Sequence, residues 1–205
     1  TGTVGSGTAL GAVTINSAAG VTATSFSAAS LTQSAGTGTT ALNGVVTLTG
    51  ALDLTTATID INENVTTAGG LVDLNATTLV DLASTKSITT TAAADSGTTS
   101  GKIDIDVSGT GTVNLAGNLV STGANHASGA GSTAGIVTID TVGGTIAVKD
   151  ITSSGGNSTG VAGGAAAAIT LNTGGQTITL NGNLTAAGGT GSSQGAGATI
   201  TVSDA

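Results

Sequence analysis

The sequence predicts an all-β fold, a parallel β-helix with three strands in each coil. Three observations lead there. Short aliphatic–polar–aliphatic triplets recur along the chain, and in its C-terminal half they form three columns repeating every 31 to 34 residues. No stretch of comparable length carries a 3.6-residue apolar stripe, so helix is not expected.

The triplets are the strands. Leu52-Asp53-Leu54, Ile59-Asp60-Ile61, Val72-Asp73-Leu74 and Val137-Thr138-Ile139 are typical. Period two puts the flanking aliphatics on one face and the middle residue on the other. The first column runs Ile103, Val137, Ile169, Ile200, the second Val113, Ile146, Ile178, and the third Leu119, Ile151, Leu184. Stacked equivalents in successive coils are expected to rise by ~4.8 Å. Val137 and Ile139 are then inside, against Ile169 and Leu171, while Thr138 faces out. An antiparallel sandwich gives turn signals every 8–12 residues but no such three-column register.

The connections differ in kind. First to second strand crosses a tight glycine turn, as in Ser108-Gly109-Thr110-Gly111 and Val142-Gly143-Gly144-Thr145. Second to third is a corner ending in Asn118, Asp150 or Asn183, residue types that tolerate left-handed backbone and bond their own turn. Third back to first is a long small-residue excursion, residues 121–135, 153–168 and 186–198, expected to leave one corner and lie side by side.

The chain reads as one solenoid, 1–205, with regular repeats of about 32 residues over 101–205. Residues 41–100 are weakly regular. There Leu48-Thr49-Gly50-Ala51-Leu52 parallels Leu180-Asn181-Gly182-Asn183-Leu184 and reads as a second-to-third corner, while Ile59, Val72, Leu79 and Ile88 are rungs without an assigned column. Residues 1–40 carry only Val13, Ile15, Val21, Phe26 and Leu31 as anchors, and read as irregular or end coils.

Composition narrows function. There is no Cys, so no disulfide framework, thiol nucleophile or Cys-based zinc site. Lys86, Lys102 and Lys149 are the only cations against 11 carboxylates, a net charge of −8, so no basic stripe exists for nucleic acid or an anionic membrane surface. No apolar run approaches the ~18 residues of a spanning helix. With Phe26 the only aromatic, the girdles of a membrane barrel are missing too. A chain beginning at Thr1 without Met reads as a mature or excised segment.

Segments such as Gly101-Lys102-Ile103-Asp104-Ile105, Thr177-Ile178-Thr179-Leu180-Asn181-Gly182-Asn183-Leu184-Thr185 and Ala186-Ala187-Gly188-Gly189 resemble the β-strand repeats of very large bacterial surface proteins, the filamentous-haemagglutinin-like and autotransporter-type passengers. The resemblance covers most of residues 40–205 and is one of composition and period. It implies a right-handed β-helix, export across a Gram-negative envelope, an extracellular or cell-surface location, and a role in adhesion, coating or fibre formation. The expected function is non-enzymatic, a structural or adhesive segment. A binding module for ice or glycan is the alternative, and a glycan-active enzyme is the least favoured reading.

Candidate site residues are few. Asp53, Asp60, Asp73, Asp81, Asp104 and Asp106 lie in or beside triplets and mostly point outward. Lys102 alone accompanies Asp104 and Asp106, too little for the acid-and-cation constellation of a glycan enzyme. No catalytic residue, organic cofactor or firm metal site is expected; stacked acids at Asp104 and Asp106 are the one place for a weakly held Ca²⁺. Gly188-Gly189-Thr190-Gly191-Ser192-Ser193 begins like a Ca²⁺-binding nonapeptide repeat but lacks its aspartate. His126 reads as a solvent-facing loop residue, and Gly143-Gly144 as a turn rather than a phosphate cradle. Thr138, Thr170 and Thr201 form a possible outer-face ladder of the kind that orders water, although the residues two further on are Asp140, Asn172 and Ser203. The expected partner is the chain itself, end to end or within a longer polypeptide, with surface glycans second. Ile200-Thr201-Val202 opens a coil that Ser203-Asp204-Ala205 does not complete.

Overall fold

The computed structural model describes residues 2–204. It is a parallel β-helix: no helix occurs among those residues, and the paired strands run parallel and stack coil upon coil. The expected register holds. Val137 lies against Ile169 and Ile139 against Leu171, all four with no exposed area, while Thr138 pairs with Thr170 on the outside.

All three columns extend to the N-terminus. The first runs Val13, Leu31, Leu52, Val72 and on to Ile103, Val137, Ile169 and Ile200. The second runs Val21, Thr40, Ile59, Val80, Val113, Ile146, Ile178. The third runs Val4, Phe26, Val46, Val65, Ile88, Leu119, Ile151, Leu184. The early coils take only 18 to 23 residues because the excursion is missing, and the third strand turns directly into the first. This corrects the reading of 46–52: Val46–Leu48 is a third strand and Leu52 begins a first, so the corner is third-to-first. Strands Leu52–Ile61 and Val72–Leu82 likewise bend from first column to second, with a bulge-like register shift between Thr56 and Thr58 instead of a glycine turn.

Leu, Ile and Val fill the interior as one continuous stack, and Phe26 joins it at 6% exposure. Column ends are closed by buried hydroxyls. Thr67 at the end of its third strand, and Thr90, Ser121 and Ser153 just after theirs, have no exposed area in successive coils. Thr90 Oγ1 donates to the Gly101 carbonyl at 2.7 Å and Ser153 Oγ to that of Ala167 at 2.8 Å, tying the two feet of each excursion together. The Asn/Asp corner works differently from the expectation. None of Asn118, Asp150 and Asn183 has left-handed backbone. Asp150 Oδ1 instead accepts the Asn183 N–H of the next coil at 2.9 Å.

The excursions form an ordered ridge. Each layer donates to the next: Gly123 to Ser154, His126 to Asn157 and Ala134 to Ala165, then Gly155 to Ala187 and Ala166 to Ala196. The outgoing and returning arms also interlock. Ser132 N–H donates to Ala124 O, Gly156 to Ser132, Gly164 to Gly156, Gly189 to Gly164 and Gly195 to Gly189, at 2.8–3.0 Å. A Cβ on Gly156, Gly164, Gly189 or Gly195 would collide with a neighbouring carbonyl oxygen, so these positions need glycine for close backbone approach.

Candidate functional site

The outer face of the first column concentrates the polar groups. Alternation turns the middle residue of each triplet outward, and register stacks these residues into a rank: Thr32, Asp53, Asp73, Asp104, Thr138, Thr170, Thr201. Two residues further along each strand lies a second rank, Thr55, Asn75, Asp106, Asp140, Asn172, Ser203. The face is thus acidic toward the N-terminus and threonine-bearing toward the C-terminus.

Asp73, Asp104 and Asp106 bring carboxylate oxygens within 4.8 Å of one another. Asp104 and Asp106 were expected there; Asp73 joins them from the preceding coil. Its arrival was hidden because Val72 had no column in the sequence. Lys102 Nζ reaches Asp104 Oδ2 at 2.6 Å, and Asn75 Nδ2 donates to Asp73 Oδ1 at 2.8 Å. Partial burial raises the Asp106 pKa, with Asp104, Asp140 and Asp73 adding repulsion and Lys102 opposing. Burial, then Asp73, raises that of Asp53. Such oxygens suit a hard cation, which would relieve the crowding. Asp60 and Asp81 stack on the second column instead, where Asn114 Nδ2 donates to Asp81 Oδ1 at 2.6 Å.

Beside the second rank runs a furrow of about 400 Å³, lined by Asp106, Ser108, Asp140, Thr141, Val142 and Asn172. A second hollow of about 290 Å³ shares Asp106 and Ser108, so the furrow follows the solenoid axis. Val142, at 69% exposure, forms part of its wall. The threonine column is in register from Thr138 through Thr170 to Thr201, with Asp140, Asn172 and Ser203 as its second rank.

His126 is not a solvent-facing residue. Its layer is sandwiched between neighbouring excursions, which leaves it 9% exposed. The Gly97 N–H donates to Nε2 at 3.1 Å, and Ser132 Oγ lies 3.2 Å from the same nitrogen. A small-residue loop looks solvated in sequence; only the stacking of loops buries it.

No helix of the described residues is long and apolar enough to cross a membrane. The chain matches no protein-family model, no curated protein and no solved structure.

Proposed function

We propose that the chain is a non-enzymatic structural and adhesive segment of an extracellular filament, surface coat or giant adhesin of a Gram-negative bacterium. The observation that carries this reading is the stack itself. The columns run in register through the described coils, and the edge of each coil is the one on which the next pairs. Such an edge accepts another coil, from the same polypeptide or from a second copy. The product of the fold is then length and stiffness. The sequence resemblance to bacterial β-strand repeats supports the location. Electron microscopy and sedimentation of the isolated chain test the assembly, with rods longer than one chain expected. A compact monomer at all concentrations would refute it.

Two binding readings have their own observations. The in-register Thr138, Thr170 and Thr201 favour a water-ordering face, for which thermal hysteresis is the assay. The close oxygens of Asp73, Asp104 and Asp106 favour weakly held Ca²⁺, tested by calorimetry of the chain and of Asp104→Asn. Glycans, the second expected partner, are tested on an array, with the axial furrow as the place to mutate.

A further inference from the structure

The axial furrow has a length, a floor and two walls. One wall is the rank Thr55, Asn75, Asp106, Asp140 and Asn172, stacked by register over four coil rises, ~19 Å. The other wall carries Thr77, Ser108 and Val142, and the buried Ala76 and Val107 form the floor. Each strand bearing the first wall is paired on both sides. The backbone therefore has no free edge here, and a peptide cannot add to it as a strand. A ligand in this furrow is recognised by side chains.

Those side chains include two carboxylates without a counter-charge. Neither Asp106 nor Asp140 shares a hydrogen bond or ion pair with another described residue. The three lysines are engaged or placed elsewhere. Lys86 pairs with Glu63 at 2.7 Å, Lys102 with Asp104 at 2.6 Å, and Lys149 lies beside Asp150 at the second-to-third corner. The chain has no arginine, and Phe26, its only aromatic, is in the core. The furrow thus cannot grip a sulfated or carboxylated sugar, nor stack a sugar ring on an aromatic face. It offers hydrogen bonds at Asn75, Ser108 and Asn172, an apolar patch at Val142, and attraction for an ammonium group.

Resting on the glycan reading above, we propose that the furrow binds a linear glycan of amino sugars whose amines are free. Sugar hydroxyls meet the amide and serine side chains, a C–H face of the ring lies on Val142, and ammonium groups neutralise Asp106 and Asp140. N-acetylation of the same sugar removes the charge that these carboxylates attract. A simple polyamine brings the charge but no hydroxyls for the rest of the wall.

The test is titration calorimetry of the full chain, in chelator and at about pH 6, above the ordinary carboxylate range. The probes are a β-1,4-linked glucosamine hexamer, its fully N-acetylated counterpart and spermine, with a glycan array run beside them. The free-amine hexamer should bind, less tightly as salt rises. The acetylated hexamer and spermine should each bind at least about tenfold more weakly, the worth of two exposed ion pairs. Asp106→Asn combined with Asp140→Asn should weaken the free-amine hexamer by about the same factor. Asp60→Asn, on the second column, should leave it unchanged. Equal binding of the two hexamers overturns the proposal, as does spermine binding as tightly as the free-amine hexamer. A double variant that binds like the wild type overturns it too; should that variant not fold, the wild-type ranking of the three probes decides. Array binding of other glycans without the free-amine hexamer overturns this inference and leaves the glycan reading standing, whereas no binding in either assay removes both.

Discussion

Replacing Gly164 by Ala tests whether the ridge is a second hydrogen-bonded lattice or only a bundle of loops. Gly164 is buried, and a Cβ there would run into the backbone carbonyl of Ser132, which no side-chain rotation can relieve. The arm must therefore move. Two hydrogen bonds pass through this residue, Gly164 N–H to Gly156 O at 2.8 Å and Gly189 N–H to Gly164 O at 2.9 Å. Each contributes about 0.5–1.5 kcal/mol, and a buried group left unpaired costs about 1–3 kcal/mol. The expected loss is about 3 kcal/mol. Gly160, in the same excursion, is the control: a Cβ there meets nothing within 4 Å and its φ is not left-handed. Gly160→Ala should be neutral or stabilise by about 0.4–1 kcal/mol, through the unfolded chain. Urea unfolding gives the two totals, and exchange of the Gly189 amide locates the damage, since a solenoid need not unfold in one step. If Gly164→Ala unfolded with the wild type, or Gly160→Ala suffered equally, the interlocked ridge would be the wrong description.

Ile139 has no exposed area while its neighbour Thr138 points outward. Ile139→Asp should therefore cost several kcal/mol and Thr138→Asn little, as read by chemical denaturation. Equal effects would break the register. Asp53 and Asp106 bind protons more tightly folded than unfolded, because burial and neighbouring carboxylates raise their pKa. Their stabilising contribution is complete below the unfolded value of about 3.9 and is lost as pH rises through the folded values. Asp106→Asn should accordingly be more stable than the wild type near pH 7 and show a flatter profile between about pH 4 and 7; a variant less stable at neutral pH would contradict this. Val202→Lys, at the exposed strand edge, should shorten or abolish end-to-end rods in electron micrographs without unfolding the chain. Rods of unchanged length would place the contact elsewhere.

The C-terminal coils were legible because alternation and spacing state the same thing. Val137, Ile169 and Ile200 recur at nearly constant intervals, and each heads a triplet whose middle residue is polar. Below residue 100 the triplets persist but the interval does not. Dropping the excursion shortens a coil to about 20 residues, and merging two columns into strands such as Leu52–Ile61 removes the turn that would separate them. Thr40 hides a core position in the second column because its hydroxyl is satisfied internally, donating to Gln33 Oε1 at 2.6 Å. A pattern reader counts both residues as surface; in the fold both are fully buried.

The same limit explains the candidate site. Asp104 and Asp106 share a strand, so their proximity follows from period two alone. Asp73 reaches them only through the ladder that pairs it with Asp104, and that pairing skips 31 residues. His126 is the extreme case, since its burial depends on two other excursions with which it shares no motif. What connects these residues is stacking at ~4.8 Å, which brings together groups from successive coils whatever the loop length between them. In a solenoid, chemistry along a column is therefore written at the repeat interval and not in local motifs. The side chains that meet at Asp73, Asp104 and Asp106, or at Gly97 and His126, become neighbours only once the coil length is known.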